Sequence, residues 1–244
     1  KYLLNNNCCY VNGMIVSENH ELKVNDSLCI DTCFFDDLDY SPTEYKIDVL
    51  YEDEYLLLVN KPSKCIIYDD IKHDTMANYI AYYYMINNLD YKIRHAHRLD
   101  YDTSGVLILT NDGEFANLMI HPRYHLAKTY NLTINGILTP ADIEKLRTGI
   151  VLDTGEKVDG KHVKFTEVDK EKKQCSFDMT IYEGRYHQVK RMMEALGYKV
   201  RRLHRTRLAF LKVNDLSQGE YRRLKPFEVQ QLKAIALNGK MKNK

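Results

Sequence analysis

The sequence lacks any apolar run long enough to cross a bilayer. Its longest runs, such as Tyr-Leu-Leu-Leu-Val at residues 55–59, are only a few residues long, whereas a membrane-spanning helix needs about 20. No signal peptide is visible in the sequence either. We therefore expect a cytoplasmic protein with no membrane partner.

Paired metal-binding cysteines are also missing. The six cysteines are scattered along the chain, and cysteines without a framework are typical of reduced thiols in the cytoplasm. Cys8, Cys9, Cys29 and Cys33 are the set to consider for a zinc cluster. No C-x-x-C spacing supports such a cluster, so we predict no bound metal.

The chain has almost no net charge, but its charge is unevenly distributed. The formal net charge is +1, yet residues 31–54 hold nine acids against Lys46 alone, and residues 183–225 hold twelve Lys or Arg against four acids. A basic segment of this kind indicates a directed polyanion-binding face. The alternative is a solvated basic surface without a ligand.

The composition and length are those of an ordinary globular protein. With 244 residues, 44% hydrophobic and 28% charged, the chain can form one main domain and a small appendage. We place the appendage and its linker at residues 1–40, the main domain at 41–238 and a basic tail at 239–244. Asn12-Gly13 predicts a tight hairpin within the appendage.

The most informative stretch runs from His97 to Gly105 and continues into the apolar strand 106–110. A charged loop anchored on a buried strand suits a catalytic group that needs fixed geometry. Asp100 has Arg98 beside it and apolar cover on both sides. From the residues alone, Asp100 and Asp102 are better explained as turn acids that bind their own backbone.

A second informative stretch covers residues 183–197. Val189, Met192, Met193 and Leu196 form one helical stripe, and Gly197 is placed to end the helix. Beyond it, residues 200–211 alternate basic with apolar side chains. This alternation predicts a strand with one face in the core and the other presenting arginines to solvent, which is a suitable platform for a nucleic-acid backbone.

Four motifs occur in the order typical of one enzyme family. They are Asn-Lys-Pro at 60–62, His-Arg-Leu-Asp-x-Asp-Thr-Ser-Gly at 97–105, Lys-x-Tyr at 128–130 and the block at 183–197. Together they resemble the RNA pseudouridine synthases over residues 47–236. The last block is similar to the branch that modifies small-subunit ribosomal RNA, the Rsu family. His97 is more typical of the large-subunit and tRNA branch.

The resemblance implies an α+β fold with a mixed, mainly antiparallel sheet, flanking helices and a central RNA cleft. It implies that Asp100 is the catalytic aspartate, that Tyr130 lies against the target base and that Lys190 pairs with Asp100. Lys61 takes a structural role. Residues 1–40 resemble a truncated form of a small RNA-binding module shared with a ribosomal protein. We predict RNA contacts for Arg98, Arg185, His187, Gln188, Arg191, Arg202 and Arg205.

The predicted function is the isomerisation of a specific uridine in ribosomal RNA, with the small subunit favoured, by a monomer that needs no cofactor. A binding-only RNA or ribosome-assembly factor with the same fold is one alternative, and a synthase acting on tRNA is another. A third is a metal-dependent nuclease that uses His95, His97 and Asp100. The combination of Asp100, Tyr130 and Lys190 favours catalysis, because binding alone requires none of them together.

Overall fold

A computed structural model of the chain describes residues 9–16, 20–30, 40–69, 74–89, 94–95, 97–120, 122–212 and 226–241. The chain divides into two compact units, residues 1–41 and 42–244. Within the described residues, no helix combines the length and apolar character needed to span a membrane.

The first unit contains a small antiparallel sheet. Its strands pair in the order β2-β1-β3, and their bounds are β1 Cys9–Val11, β2 Met14–Ile15 and β3 Leu28–Ile30. Asn12 and Gly13 both have positive φ angles, of 52° and 79°, as a type I′ turn requires. The predicted hairpin is therefore confirmed, while the kinship of this unit to an RNA-binding module stays a prediction.

The second unit combines a long sheet with five helices among the residues described. Its strands are β4 Val49–Glu52, β5 Leu56–Lys61, β6 Arg94–His95, β7 Ser104–Thr110, β8 Lys128–Asn135, β9 Ile150–Val151, β10 Lys157–Val158, β11 Lys161–Asp169, β12 Gln174–Ile181, β13 Lys199–Leu208 and β14 Leu211–Lys212. Its helices are α1 Met76–Ile86, α2 Gly113–Ile120, α3 Pro140–Thr148, α4 Gln188–Ala195 and α5 Pro226–Met241.

The long sheet is mixed and mainly antiparallel, as the sequence predicted. Its strand order is β11-β12-β8-β13-β7-β5-β4, with β6 added to β7 and β14 to β13, while β9 and β10 form a separate ribbon. Neighbouring strands in this order are antiparallel except β13 and β7, which run parallel. This parallel contact, which we call the seam, joins the half containing β4, β5 and β7 to the half containing β8, β11, β12 and β13.

In the first half, β5 and β7 are apolar on both faces. Successive side chains of a strand point to opposite faces, so Leu57 and Leu107 pack with α1, whereas Leu58 and Ile108 pack with α2 and α5. This arrangement explains why the two strands read as continuous apolar runs.

In the second half, β8 and β12 are apolar on one face only. Leu132 and Phe177 pack against α3 and α4 on that face. The opposite face carries side chains such as Asn131 and Asp178, which hydrogen-bond to each other at 2.8 Å. Alternating apolar and polar residues along each strand produce this two-sided surface.

Gly105 lets the two halves approach each other at the seam. It pairs with Arg205 of β13 and has a φ angle of +116°. A Cβ atom at this position would lie 2.7 Å from the backbone nitrogen of Arg205, which is too close for any side chain. The loop that precedes Gly105, residues 97–103, is thereby fixed at the border between the halves.

Candidate active site

A cavity of about 340 Å³, which we call the seam cavity, opens beside the seam. Its wall is formed by residues 97–100 of the loop, by β8 and β13, and by residues 184, 185 and 187–189 at the start of α4. The cavity therefore takes side chains from both halves of the sheet. Asp100 and Tyr130, two of the predicted catalytic residues, both line it.

Asp100 lies in a tight turn at one side of this cavity. Its backbone oxygen accepts a hydrogen bond from the Thr103 amide at 3.1 Å, and about one third of its side chain is exposed. The Lys190 Nζ lies 3.4 Å from Asp100 Oδ2, and the His187 Nε2 lies 3.6 Å from Oδ1. The structure thus brings Asp100 and Lys190 together as an ion pair, although their catalytic roles stay predictions.

Lys190 also contacts a second carboxylate. Its ammonium group donates a hydrogen bond to Asp102, more closely than it approaches Asp100. Although burial raises the pKa of Asp102, the hydrogen bond and the charge of Lys190 hold that pKa below its ordinary value. Lys190 therefore bridges two acids of the same loop.

Tyr130 and Arg205 are buried side by side in the cavity wall. They are register partners on β8 and β13, and Arg205 Nε donates to the Val106 carbonyl at 2.9 Å across the seam. Burial lowers the pKa of Arg205, while Tyr130 and Asp100 act in the opposite direction. The expectation that β13 presents Arg205 to solvent was wrong. Arg205 shares the core-facing side with Leu203 and is only 2% exposed.

Lys61 holds the Asp100 loop in place through hydrogen bonds from its buried side chain. It is fully buried, and its Nζ donates to the carbonyls of Pro62 and Thr103 at 2.9 Å and of Tyr101 at 3.4 Å. Burial lowers its pKa to about 8. These contacts agree with the structural role that the sequence assigned to Lys61.

Lys128 is a cavity residue that the sequence reasoning did not select. It lines the cavity, and its Nζ donates to the Leu126 carbonyl at 3.2 Å. Burial, together with the charge of Arg205, lowers its pKa to about 8. The period of two in a strand could have identified it, because Lys128 and Tyr130 stand on the same face of β8.

Five of the seven predicted RNA-contacting residues line the cavity, namely Arg98, Arg185, His187, Gln188 and the buried Arg205. Arg98 is exposed, with its guanidinium 5.7 Å from the ring centroid of Tyr68. Gln188 is buried and accepts a hydrogen bond from the Arg185 amide at 3.0 Å. The buried Gln188 side chain therefore stabilises the conformation of the loop before α4.

The other two predicted RNA-contacting residues lie outside the cavity lining. Arg191 Nε donates to Asp153 at 2.8 Å, and its Nη2 donates to Thr154 at 2.7 Å, so the guanidinium attaches α4 to the loop after β9. Arg202 lies on the opposite, polar face of the sheet, where it lines a separate hollow. The basic segment of the sequence is therefore divided between two surfaces.

His97 is engaged within the fold. Its Nε2 accepts a hydrogen bond from the Ile108 amide at 3.2 Å, and its ring contacts Arg205 at 3.0 Å. Within the described part of the chain, no group of three or more His, Cys, Asp or Glu side chains is arranged to hold a metal ion. Cys8 and Cys33 of the imagined zinc cluster lie outside the described residues.

The fold and this site define a class of protein. A family model described as RNA pseudouridylate synthase matches residues 55–195, which is more than half of the chain and includes Asp100, Tyr130 and Lys190. The chain belongs to the RNA pseudouridine synthase family, in its Rsu branch.

Individual relatives support this assignment. The ribosomal large subunit pseudouridine synthase B of Bacillus subtilis is 45% identical over 153 residues, which cover 63% of this chain and 62% of the relative. The ribosomal small subunit pseudouridine synthase A of Haemophilus influenzae is 35% identical over 195 residues, covering 76% and 80%. The match thus spans less than two thirds of the Bacillus relative.

A solved structure agrees over nearly the whole chain. The crystal structure of a pseudouridylate synthase superimposes with a TM-score of 0.58 at 28% sequence identity, covering 95% of this chain and 91% of the other. The α+β fold predicted from the sequence is therefore confirmed.

Proposed function

We propose that this protein converts a uridine in ribosomal RNA to pseudouridine, with Asp100 as the central catalytic group. The observation that carries the proposal is the position of Asp100 at the edge of the seam cavity, 3.4 Å from Lys190 and 3.6 Å from His187. A half-buried carboxylate beside an ammonium group and an imidazole is placed to act on a nucleotide that enters the cavity.

The reaction makes limited demands on the protein. The bond from the ribose to N1 of uracil breaks, the base turns, a new bond forms from the ribose to C5, the C5 proton leaves, and N1 takes up a proton. No electrons are exchanged with a redox partner. A carboxylate that attacks or stabilises the reacting atoms, a nearby cation and a group that accepts the C5 proton are sufficient.

The described side chains meet the first two of these demands. Asp100 supplies the carboxylate and Lys190 the cation, while Tyr130 offers its ring to the uracil from the cavity wall. The target uridine must leave its stack to enter the cavity, which costs on the order of a few kcal/mol. Arg98 is exposed at the rim. In the complex with RNA, its side chain fills the gap that the flipped base leaves in the stack.

Ribosomal RNA is the proposed substrate class because the relatives in both comparisons above are named for ribosomal subunits. Small-subunit RNA is proposed first, since the match to the small-subunit synthase covers 80% of that relative against 62% for the large-subunit one. We propose that the protein acts on it as a cytoplasmic monomer.

The test is tritium release from RNA labelled at C5 of uridine. Small- and large-subunit transcripts are supplied separately, at low salt with EDTA, to the wild type and to Asp100→Asn. We expect release by the wild type from one transcript and a loss of about 10³-fold or more in the variant. Asp159→Asn is the matched control, because Asp159 also pairs with a lysine, Lys161 at 2.9 Å, but does not line the cavity.

Two results would contradict the proposal. Equal release by the wild type and Asp100→Asn would remove Asp100 from the chemistry. Tight RNA binding without release from either transcript, or from tRNA tried as a third substrate, would favour the binding-only alternative.

A further inference from the structure

Tyr186 stands out at the rim of the seam cavity. Its side chain is 77% exposed, although its two chain neighbours, Arg185 and His187, both line the cavity. A single exposed aromatic residue is common on protein surfaces, so exposure alone does not indicate a site. Three features of its surroundings do.

The first feature is a stack of rings directed at the carboxylate. The rings of Tyr186 and His187 lie face to face, with centroids 4.0 Å apart and planes 15° from parallel. His187 in turn contacts Asp100, at 3.6 Å between Nε2 and Oδ1. One face of the Tyr186 ring is thus covered by an imidazole that touches the predicted catalytic group, and the exposed fraction leaves the other face toward solvent.

The second feature is the rigidity of the segment that holds this ring. The Arg185 amide donates to the buried Gln188 side chain at 3.0 Å, and Arg191, itself bound to Asp153, donates to the Tyr186 carbonyl at 3.4 Å. His187 adopts a left-handed backbone conformation with φ 47° at the start of α4. An aromatic ring that is already held in place loses little conformational entropy when a ligand stacks on it.

The third feature is the local charge. Arg185, next to Tyr186, is exposed and forms ion pairs with Glu156 and Glu183, and Lys190, one helical turn later, is paired with the two acids of the loop. The flat, open ring suits the face of an unpaired nucleobase, and the exposed guanidinium of Arg185 can exchange a carboxylate for the phosphate of that nucleotide.

We propose that Tyr186 is a stacking platform for an unpaired base adjacent to the flipped uridine. This inference rests on the proposed function for the identity of the neighbouring nucleotide. The base extends the column of His187 and Tyr186 outward from the cavity. It holds the strand in register while the next nucleotide enters beside Asp100. Tyr186 would thereby position the RNA strand and take no part in the chemistry.

The first experiment measures binding in the Asp100→Asn background, so that no RNA is turned over. The probe is a fluorescein-labelled, 20-nucleotide single-stranded RNA of mixed sequence, followed by anisotropy. Loss of a base–aromatic stack weakens binding by roughly 5- to 150-fold, and we expect a loss in this range for Tyr186→Ala. Tyr186→Phe should bind RNA as tightly as the parent, because the ring remains. Tyr186→Leu should weaken binding nearly as much as Tyr186→Ala, because it has no ring.

Tyr55→Ala is the matched control, since Tyr55 is 58% exposed and is not among the residues that line the cavity. It should leave binding unchanged. Equal binding by Tyr186→Ala and the parent would overturn the proposal. So would an equal loss in Tyr186→Phe and Tyr186→Ala, because the hydroxyl rather than the ring would then carry the contact.

The second experiment is photocrosslinking of the chain to RNA that contains 5-iodocytidine. Mass spectrometry should locate a crosslink on Tyr186 that persists in Tyr186→Phe and disappears in Tyr186→Leu; crosslinks that avoid Tyr186 would overturn the proposal. Neither readout needs turnover. Absence of tritium release would therefore defeat the proposed function while these two measurements still decide whether the platform exists.

Discussion

The two halves of the long sheet are built differently, and the cavity lies where they meet. On the first half, β5 and β7 are covered by helices on both faces, so that Leu57 and Val106 are completely buried. On the second half, β8 and β12 bury one face against α3 and α4 and leave a polar face on the other side. In the first half, packed side chains restrain the strands from both faces of the sheet, whereas in the second half they do so from one face only.

This difference assigns separate tasks to the two halves. The loop with Asp100 emerges from the doubly covered half, where Lys61 and Gly105 fix its backbone. The cation that faces Asp100 comes from α4, which packs on the singly covered half. The geometry of the carboxylate is therefore set by one half, and its electrostatic surroundings are set largely by the other. The predictions below alter one half at a time.

The largest effect should follow from a side chain at the seam. In Gly105→Ala, the new Cβ would collide with the backbone of Arg205 and the residue would keep an unfavourable φ of +116°. Because the three nearest atoms all belong to the backbone of Arg205, none of them can move away at low cost. We expect a loss of about 4 kcal/mol or more in the free energy of unfolding measured by urea denaturation.

Gly113→Ala is the control for the seam. Gly113 begins α2, and its added Cβ would meet no heavy atom within 4 Å. Alanine should raise the free energy of unfolding there by about 0.5 kcal/mol, since it restricts the unfolded chain. If both glycine variants had similar stability, close packing at the seam would not be what joins the halves.

The next largest effect should come from Lys61→Met. Methionine preserves much of the side-chain volume but leaves the buried carbonyls of Pro62 and Thr103 without their donor. We expect a loss of about 3 kcal/mol in stability, together with a fall in kcat/KM for tritium release under conditions where the variant is folded. Lys64→Met, at an exposed position, should change stability by about 0.5 kcal/mol or less.

The same buried lysine predicts a dependence of stability on pH. The pKa of Lys61 is about 8 in the folded protein against an ordinary 10.5, so between these values the unfolded chain binds more protons than the folded one. Stability contributed at this site therefore rises as the pH increases from 8 to 10.5. In urea denaturation, the free energy of unfolding of the wild type should rise by about 2 kcal/mol relative to that of Lys61→Met across this window. If this difference between the two proteins became smaller as the pH rises, the lowered pKa of Lys61 would be contradicted.

The sequence predicted the motif-bearing parts of the site better than the strand faces. The Asp100 loop and the Lys190 helix were found because their residues are contiguous and follow local rules. Arg205 was misplaced because basic residues occupy both faces of β13, and the strand pairs with β8 through register shifts between Val200 and Arg202 and between Arg205 and Arg207. Alternation cannot determine the core side of such a strand without its partner.

The sequence also did not predict which polar side chains bind other parts of the protein. Gln188 and Arg191 belong to a basic stretch, which indicated RNA contacts, yet their hydrogen bonds go to neighbouring loops of the protein. Asp153 lies 38 residues from Arg191 in the chain and is brought to it by tertiary structure, whereas Arg185 lies three residues before Gln188 and forms a local contact at the start of α4. Lys128 shows the converse, since it stands in a recognised motif but its burial beside Arg205 follows only from the packing of β8 on β13.

The smallest predicted effects compare one helix cap from each half. Thr75 begins α1 on the doubly covered half and Thr139 begins α3 on the other, and each forms a reciprocal capping box with the residue three positions on. Thr75 is completely buried, whereas Thr139 is exposed. Water can replace the lost hydroxyl at the exposed cap but not at the buried one. Thr75→Ala should therefore cost about 1.5 kcal/mol of unfolding free energy and Thr139→Ala about 0.5 kcal/mol. Equal losses in the two variants would show that burial of the Thr75 cap does not make its hydrogen bonds more important for stability than those of the exposed Thr139 cap.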